Sequence, residues 1–588
     1  MAGLSIGERA KLLLLLGRRT LRVAAGRLRG HPFIRLSFIP RKAERLLIAP
    51  QDLRTADGTR ASEIYAGRFA FAGKVVISDG RSPFEIAPPS DEWAASLLGF
   101  GWLRHLRAAE SGITRANARA LVDEWISVQG SWDPVAWQPE ILARRVTSWL
   151  SQAPLILHDA DDAFYRRFLR SLVRQVRYLR HTAIESREGT PRMLSLVALT
   201  YAALCMSGQG RHLRSAVKQL VAEIDHQILP DGGHISRNPG ALIELLLDLV
   251  PLRHAFAARN IAPPPQLNNA IDRMMPMMRF FRHGDGNFAH FNGMGPTLPD
   301  VMATILAYDD ARGAPLSNAP HSGYQRAEAG EMLLLLDAGA PPPINVSQEA
   351  HAGCLAFEMS HGLQRIVVNC GLPGTNKENW RQVARATAAH STVVFNDTSS
   401  ARFLESGSFK RLLGNPIVSG PSDIQVSRED RGDGIILRAS HNGYADRFKV
   451  THQRALKLAG DGHRLDGEEL FASTEGDMIP QDVADEFAVR FHLHPAVKAN
   501  KLTDGHGAML MLPNREVWTF NAFEDRVEIE ESVYLSGSDG PRRAVQMVIY
   551  GRARKILRIH WSLALATAGN PSSARRRGEE PELPLAAP

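Results

Sequence analysis

Residues 348–362, QEAHAGCLAFEMSHG, followed by VVNCG (367–371) and RATAAHSTVVFND (385–397), are short apolar or β-branched runs set between turn-forming residues, and two of the three carry histidines. Working toward the C-terminus, the same texture recurs in GIILRAS (434–440), FAVRFHLHP (487–495), REVWTFNAF (515–523), RVEIEESVYL (526–535) and AVQMVIYGRA (544–553). In residues 487–494, Phe487, Val489, Phe491 and Leu493 fall on one strand face, and Arg490, His492 and His494 on the other. Regular spacing of such runs predicts a large antiparallel β-sandwich over residues 312–567. Residues 568–588, rich in Pro, Ser and charge, are expected to be a disordered tail.

Working toward the N-terminus, the period changes from two to 3.6. Phe164, Phe168, Leu172, Val176 and Leu179 form one stripe, with Arg166, Arg167, Arg170, Arg174 and Arg177 mostly elsewhere, so this segment reads as a helix packed on one side. Further helical runs, among them PEILARRVTSWL (139–150), PRMLSLVALTYAALCM (191–206) and ALIELLLDLVPLRHAFAARN (241–260), are separated by short Gly, Pro and Asp loops. No fixed repeat length is present, so residues 91–311 are expected to form an α/α-toroid, an incomplete barrel of unequal helical hairpins. The fold class is therefore α then β. Before the toroid, residues 46–90 read as a small β-rich preface with Gly67, Gly73 and Gly80 at its turns, and residues 1–45 as a basic helical segment.

The 588 residues hold 70 Lys+Arg against 62 Asp+Glu, a net charge of +8 that favours an anionic partner. No zinc-finger, RNP or homeodomain pattern accompanies the charge, so nucleic acid is not expected as a partner. Cys205, Cys354 and Cys370 form neither a disulfide framework nor a thiolate metal site. His492 and His494 are two ligand types on one strand face, and no third is spaced to complete a zinc site. No metal or other cofactor is expected. Leu12 to Leu16 is too short an apolar run for an export signal or a membrane span, whereas Ala10 to Leu28 suits a basic amphipathic helix in peripheral contact with a membrane or packed on another domain.

With an all-helical first half and a β-rich second half, the three segments quoted first resemble the heparinase II/III-like polysaccharide lyase family. In that family a His-Ala-Asp-like element precedes a strand ending in glycine and an Arg-x-Thr-x-x-His-Asn-Thr-like element. Here His351 and Ala352 match the first, with Gly353 in place of the acid. Arg385, Thr387, His390 and Thr392 match the second, with Ser391 in place of Asn. The loop LPDGGHISRNPG (229–240) resembles the family loop that delivers an acidic residue, a Ser-Pro step and a catalytic tyrosine. Its Asp-Gly start and Pro239 are kept, and Ala241 stands at the tyrosine position. In EGTPRMLSLV (188–197), Pro191 and Arg192 replace the family's Asn-His pair.

The resemblance implies a carbon-oxygen lyase that cleaves an acidic, uronate-containing polysaccharide by β-elimination. Such a reaction needs a cation to neutralise the uronate, a base for the C5 proton and an acid for the leaving oxygen at C4. Chemically suited groups are Arg237 as carboxylate clamp, His390 as base or charge stabiliser, Tyr444 as acid or base opposite, and His351 to orient them, in a cleft between toroid and sandwich. Asn238, His234, Arg192 and Arg385 are expected to bind substrate, and Trp137 with Arg145 to stack on and clamp sugar rings. The loop HGDGNFAHFNGMG (283–295) is expected to line the cleft.

Ala241 and Arg192 support the alternative of a catalytically altered relative that binds envelope glycan or helps assemble it. A glycoside hydrolase would instead need two carboxylates about 5–10 Å apart, and the sequence nominates no pair. Family resemblance implies the cell envelope or periplasm, with the cytoplasm as the alternative because no clear signal peptide is seen.

Overall fold

The computed structural model describes residues 6–29 and 45–566, apart from short stretches at 129–132, 309–312, 375–377, 405–408, 411–412, 475, 477–478, 482 and 538. Helices dominate as far as Leu306, and antiparallel strands follow from Asn318. The expected tail, 568–588, lies outside the described residues.

Local sequence explains how the helices start and which face they bury. Asp161 caps the helix Asp162–Thr182 by accepting the Phe164 N–H at 2.6 Å, and the stripe Phe164, Phe168, Leu172, Val176, Leu179 is buried along its whole length. The helix Pro239–Ala258 begins with Asn238 as cap, accepting from the Gly240 N–H, and Pro239 in its first turn. It is apolar nearly all round because it is buried nearly all round.

Residues 46–90 differ from the sequence expectation. The hairpin forms from Arg68–Phe71 and Lys74–Ile77, but a helix, Gly58–Tyr65, precedes it, capped by the Asp57 carboxylate on the Thr59 N–H. The segment is not a separate unit either. Leu53, Ala61, Ile64 and Phe69 belong to the helical core, and the Trp93 indole N–H donates to the Phe69 carbonyl.

The sandwich consists of two sheets. One runs Ile424–Arg431, Gly434–His441, Val450–Ala459, Arg464–Ser473, Arg558–Leu565, Val517–Asn521, Gly507–Met511, Lys498–Lys501 in spatial order. The other runs Val527–Tyr534, Arg542–Arg552, Glu486–Leu493, Gln364–Val368, Phe357–His361, Met332–Asp337, Tyr324–Ala329, Asn318–Ala319, with Val393–Phe395 pairing beside Glu486–Leu493. Strand Met332–Asp337 reads MLLLLD because both its faces are buried: Leu333 and Leu335 join the helical core, Leu334 and Leu336 the core between the sheets. Toroid and sandwich thus share apolar packing, which fixes the loops of each against the other.

Candidate functional site

A cavity of about 880 Å³ lies where toroid loops, sandwich loops and the N-terminal helix Ile6–Arg29 meet. The toroid contributes residues 187–191, the loop and helix start 234–247, and the segment 292–301, which begins with the end of the glycine-rich loop 283–295. The sandwich contributes 344–350 and 413–416, the N-terminal helix Leu15, Arg18 and Arg19, and the preceding segments Arg54, Thr55 and Arg104. The three carboxylates in its wall all have cationic partners: Glu188 with Arg192 at 3.4 Å, Glu244 with Arg54 at 3.4 Å, Glu349 with Arg381 at 3.1 Å.

Of the ten residues nominated from sequence, His234 and Asn238 lie in this wall. His234 donates Nε2–H to Gln227 Oε1 at 2.9 Å and accepts at Nδ1 from Ser236, whose hydroxyl is 2.7 Å away. Burial pushes its pKa down to about 4, so at neutral pH it is an uncharged, fully engaged ring. Asn238 caps its helix and donates Nδ2–H to Glu349 at 3.2 Å. Arg192, one residue beyond the wall, turns back to Glu188 and the Ser186 carbonyl.

His351 and His390 do come together, with Nδ1 of the first 3.0 Å from Nε2 of the second, but neither reaches the cavity wall. The His390 Nδ1–H donates to the Ala386 carbonyl at 2.8 Å, so its Nε2 must accept, and His351 must carry its proton on Nδ1. His351 Nε2 is left as a buried lone pair without a hydrogen-bond partner among the described residues. Burial drives both rings to the neutral form, His390 down to about 4 and His351 well below its ordinary value, helped by its neighbour. Arg385 donates to the carbonyls of Ala350, Asn415 and Ser347, and Thr387 to that of Ala352, so the second motif staples the loop that carries the first.

The remaining expectations meet a different placement. Arg237 does not face the cavity. It adopts a positive φ of 60° and its guanidinium is consumed by the carbonyls of Ser322, Gly323, Gly339 and Ala340 and by Asp337 Oδ1 at 2.5 Å. Burial alone would lower its pKa, yet Asp337 holds it above the ordinary arginine value. Tyr444 lies in the core between the sheets, its hydroxyl donating to the Val393 carbonyl at 2.7 Å. Trp137 and Arg145 are toroid core. Trp137 packs edge-on to Tyr178, and Arg145 lies 4.3 Å over Trp125 while donating to Gln175 and the carbonyls of Leu98 and Ala136. Helical periodicity cannot separate a tryptophan that packs from one that stacks on a ligand.

A profile of the heparinase II/III-like C-terminal domain matches residues 311–562. FtsZ-localized protein C of Caulobacter vibrioides is 32% identical over 541 residues, 90% of this chain and 92% of that protein. Among solved structures, heparinase III superposes with a TM-score of 0.67 at 13% identity, covering 89% of this chain and 87% of that one. Heparan sulfate lyase HepC of Pedobacter heparinus does so with 0.61 at 14%, covering 88% and 84%. The chain belongs to the heparinase II/III-like family.

Against that family's motifs the cavity has a physical explanation for one departure. A Cβ on Gly353 would lie 2.8 Å from His390 Cδ2, so the ring packs flush where the heparinase-like motif has an acid. Ala241 and Pro191, the residues expected from sequence at the family's tyrosine and Asn-His positions, are both in the cavity wall. The arginines that line the cavity, Arg18, Arg19, Arg54, Arg104 and Arg187, were not picked out by sequence reasoning. They come from segments far apart in the chain and share no motif.

Proposed function

We propose that this protein is a catalytically altered member of the heparinase II/III-like family that holds an anionic cell-envelope component in the cleft between toroid and sandwich without cleaving it. One observation carries the reading: the cavity wall offers Ala241 and Pro191 at the lyase positions, and its one histidine, His234, is hydrogen-bonded through both ring nitrogens. A base must be able to take a proton and an acid to give one, and neither is free there. The relative named FtsZ-localized extends the proposal to location, with this chain acting where FtsZ assembles.

Cleavage by β-elimination is a second reading, favoured by the Nε2 lone pair of His351, which has no hydrogen-bond partner among the described residues. The two readings separate in one experiment. Incubation with a panel of uronate-containing polysaccharides is followed by the ultraviolet absorbance of the unsaturated uronate that elimination creates, and binding to the same panel is measured in parallel. No absorbance rise is expected, and any polysaccharide that binds is expected to stay uncleaved. A rise that disappears in His351→Ala would overturn the binding reading and establish the lyase.

A further inference from the structure

Among the described residues the cavity wall contains no phenylalanine, tyrosine or tryptophan, the rings on which the C–H face of a pyranose ordinarily packs. Its apolar part is aliphatic. On the helix Pro239–Ala258, Gly240, Ala241, Ile243, Glu244 and Leu247 face the cavity, and Ala241, Ile243 and Leu247 give it an aliphatic surface beside the Glu244 carboxylate. The helix Pro299–Leu306 packs beside it and brings Val301 to the same wall, with Leu298 at its cap, 61% exposed despite its size.

The cationic part adjoins this stripe. Arg54 reaches Glu244 and Asp248 of the same helix, and Arg104 donates Nε–H to the neighbouring Thr55 carbonyl at 3.1 Å and Nη1–H to the Gly101 carbonyl at 2.7 Å, which leaves the Nη2 edge of its guanidinium for a ligand. With Arg54, Arg187 and the three wall carboxylates all in ion pairs, Arg18, Arg19 and Arg104 are the wall guanidiniums without a carboxylate partner among the described residues. An aliphatic wall ending in unneutralised guanidiniums matches a ligand with an aliphatic chain and a multiply charged oxyanion, which a guanidinium fork binds better than an ammonium would. The volume suits one such molecule.

We propose that the cavity takes an anionic amphiphile, a phosphate monoester whose chain lies along Leu247, Leu298 and Val301 and whose phosphate meets Arg104, with Arg18 and Arg19 closing over it. This rests on the reading of the cleft as a binding site and names the chemistry of its ligand.

Titration calorimetry of the full chain with decyl phosphate, geranyl phosphate, inorganic phosphate and a heparan sulfate oligosaccharide tests it. At least one of the two chain-bearing phosphates is expected to bind about tenfold or more tighter than inorganic phosphate, and Arg104→Gln and Leu298→Glu each to weaken that binding about tenfold. Geranyl ahead of decyl assigns the chain to a prenyl source, the reverse to a fatty one. Leu298 is exposed, so its variant tests the contact without disturbing the core, and circular dichroism verifies that both variants fold. Inorganic phosphate binding as tightly as the amphiphiles, or both variants binding like the parent, would overturn the proposal. Oligosaccharide binding without amphiphile binding would overturn this inference and leave the binding function standing, whereas an unsaturated product would remove the binding function itself.

Discussion

Arg237 shows how one side chain can tie two domains together. Its backbone sits in the toroid loop before the helix Pro239–Ala258, and its guanidinium is held by the strand Met332–Asp337 and the turns around it. Asp337 is in turn bound by Asn292 Nδ2 at 2.9 Å, and Tyr324 accepts the guanidinium on its ring face at 4.7 Å. Removing one member of such a buried pair strands the other charge. Arg237→Met is therefore expected to lower unfolding free energy by about 3–5 kcal/mol in a denaturant titration. Adding Asp337→Leu should recover part of that loss, because both charges then go. If Arg237 acted on ligand instead, Arg237→Met would weaken binding while leaving stability near that of the parent.

Among the elements, the toroid helix Asp162–Thr182 draws its stability from one buried stripe and from its cap, whereas Pro239–Ala258 is buried nearly all round. For Asp162–Thr182 the cap is the Asp161 carboxylate on the Phe164 N–H, a bond that also holds that carboxyl below its ordinary range. Asp161→Ala is expected to lower the midpoint of the same denaturant titration measurably, and Asp161→Ser, which keeps a capping oxygen, much less. The N-terminal helix is built differently. Leu12 is buried, while Leu13 and Leu14, both 57% exposed, face away from the protein. Among the described residues no helix is long and apolar enough to cross a membrane.

At the scale of the whole molecule, buried histidines in both domains give stability a pH dependence that outweighs the opposite contribution of Glu468, whose carboxyl is pushed up to about 7 by burial. Burial holds His234 and His390 down to about 4, and His290 and His492 down to about 3, from an unfolded value near 6.5. Glu358 is pulled the same way, to about 2: burial would raise it, but the hydrogen bond from His283 and the nearby charge of Arg365 prevail. For these histidines and Glu358 the unfolded chain binds protons that the folded chain refuses, so stability rises with pH through the interval between the two values. Unfolding free energy measured from pH 7 downward should thus begin to fall near 6.5 as the histidines contribute. It should drop further below about 4.5 as Glu358 joins them, and level off only near 2. A flat profile between pH 6.5 and 4 would contradict the neutral, buried placement of these histidines.

The sequence by itself determined the architecture, because period 3.6 before residue 306 and strand texture after 318 are local consequences of which faces are buried. It also pointed to the family through His351, Arg385, Thr387 and His390, and it placed His351 and His390 in the same cluster. It was blind to the helix Gly58–Tyr65, whose eight residues are too few for the helical period to stand out. The cavity belongs wholly to the tertiary structure. Arg18, Arg54, Arg104 and Arg187 meet only after four separate segments pack, while Arg237, Arg145 and Tyr444, equally polar in sequence, are drawn inward by carbonyls and carboxylates that satisfy them. Residue type fixes what a side chain is able to bind. Whether its partner is the protein or a ligand depends on which backbone acceptors the fold leaves within reach.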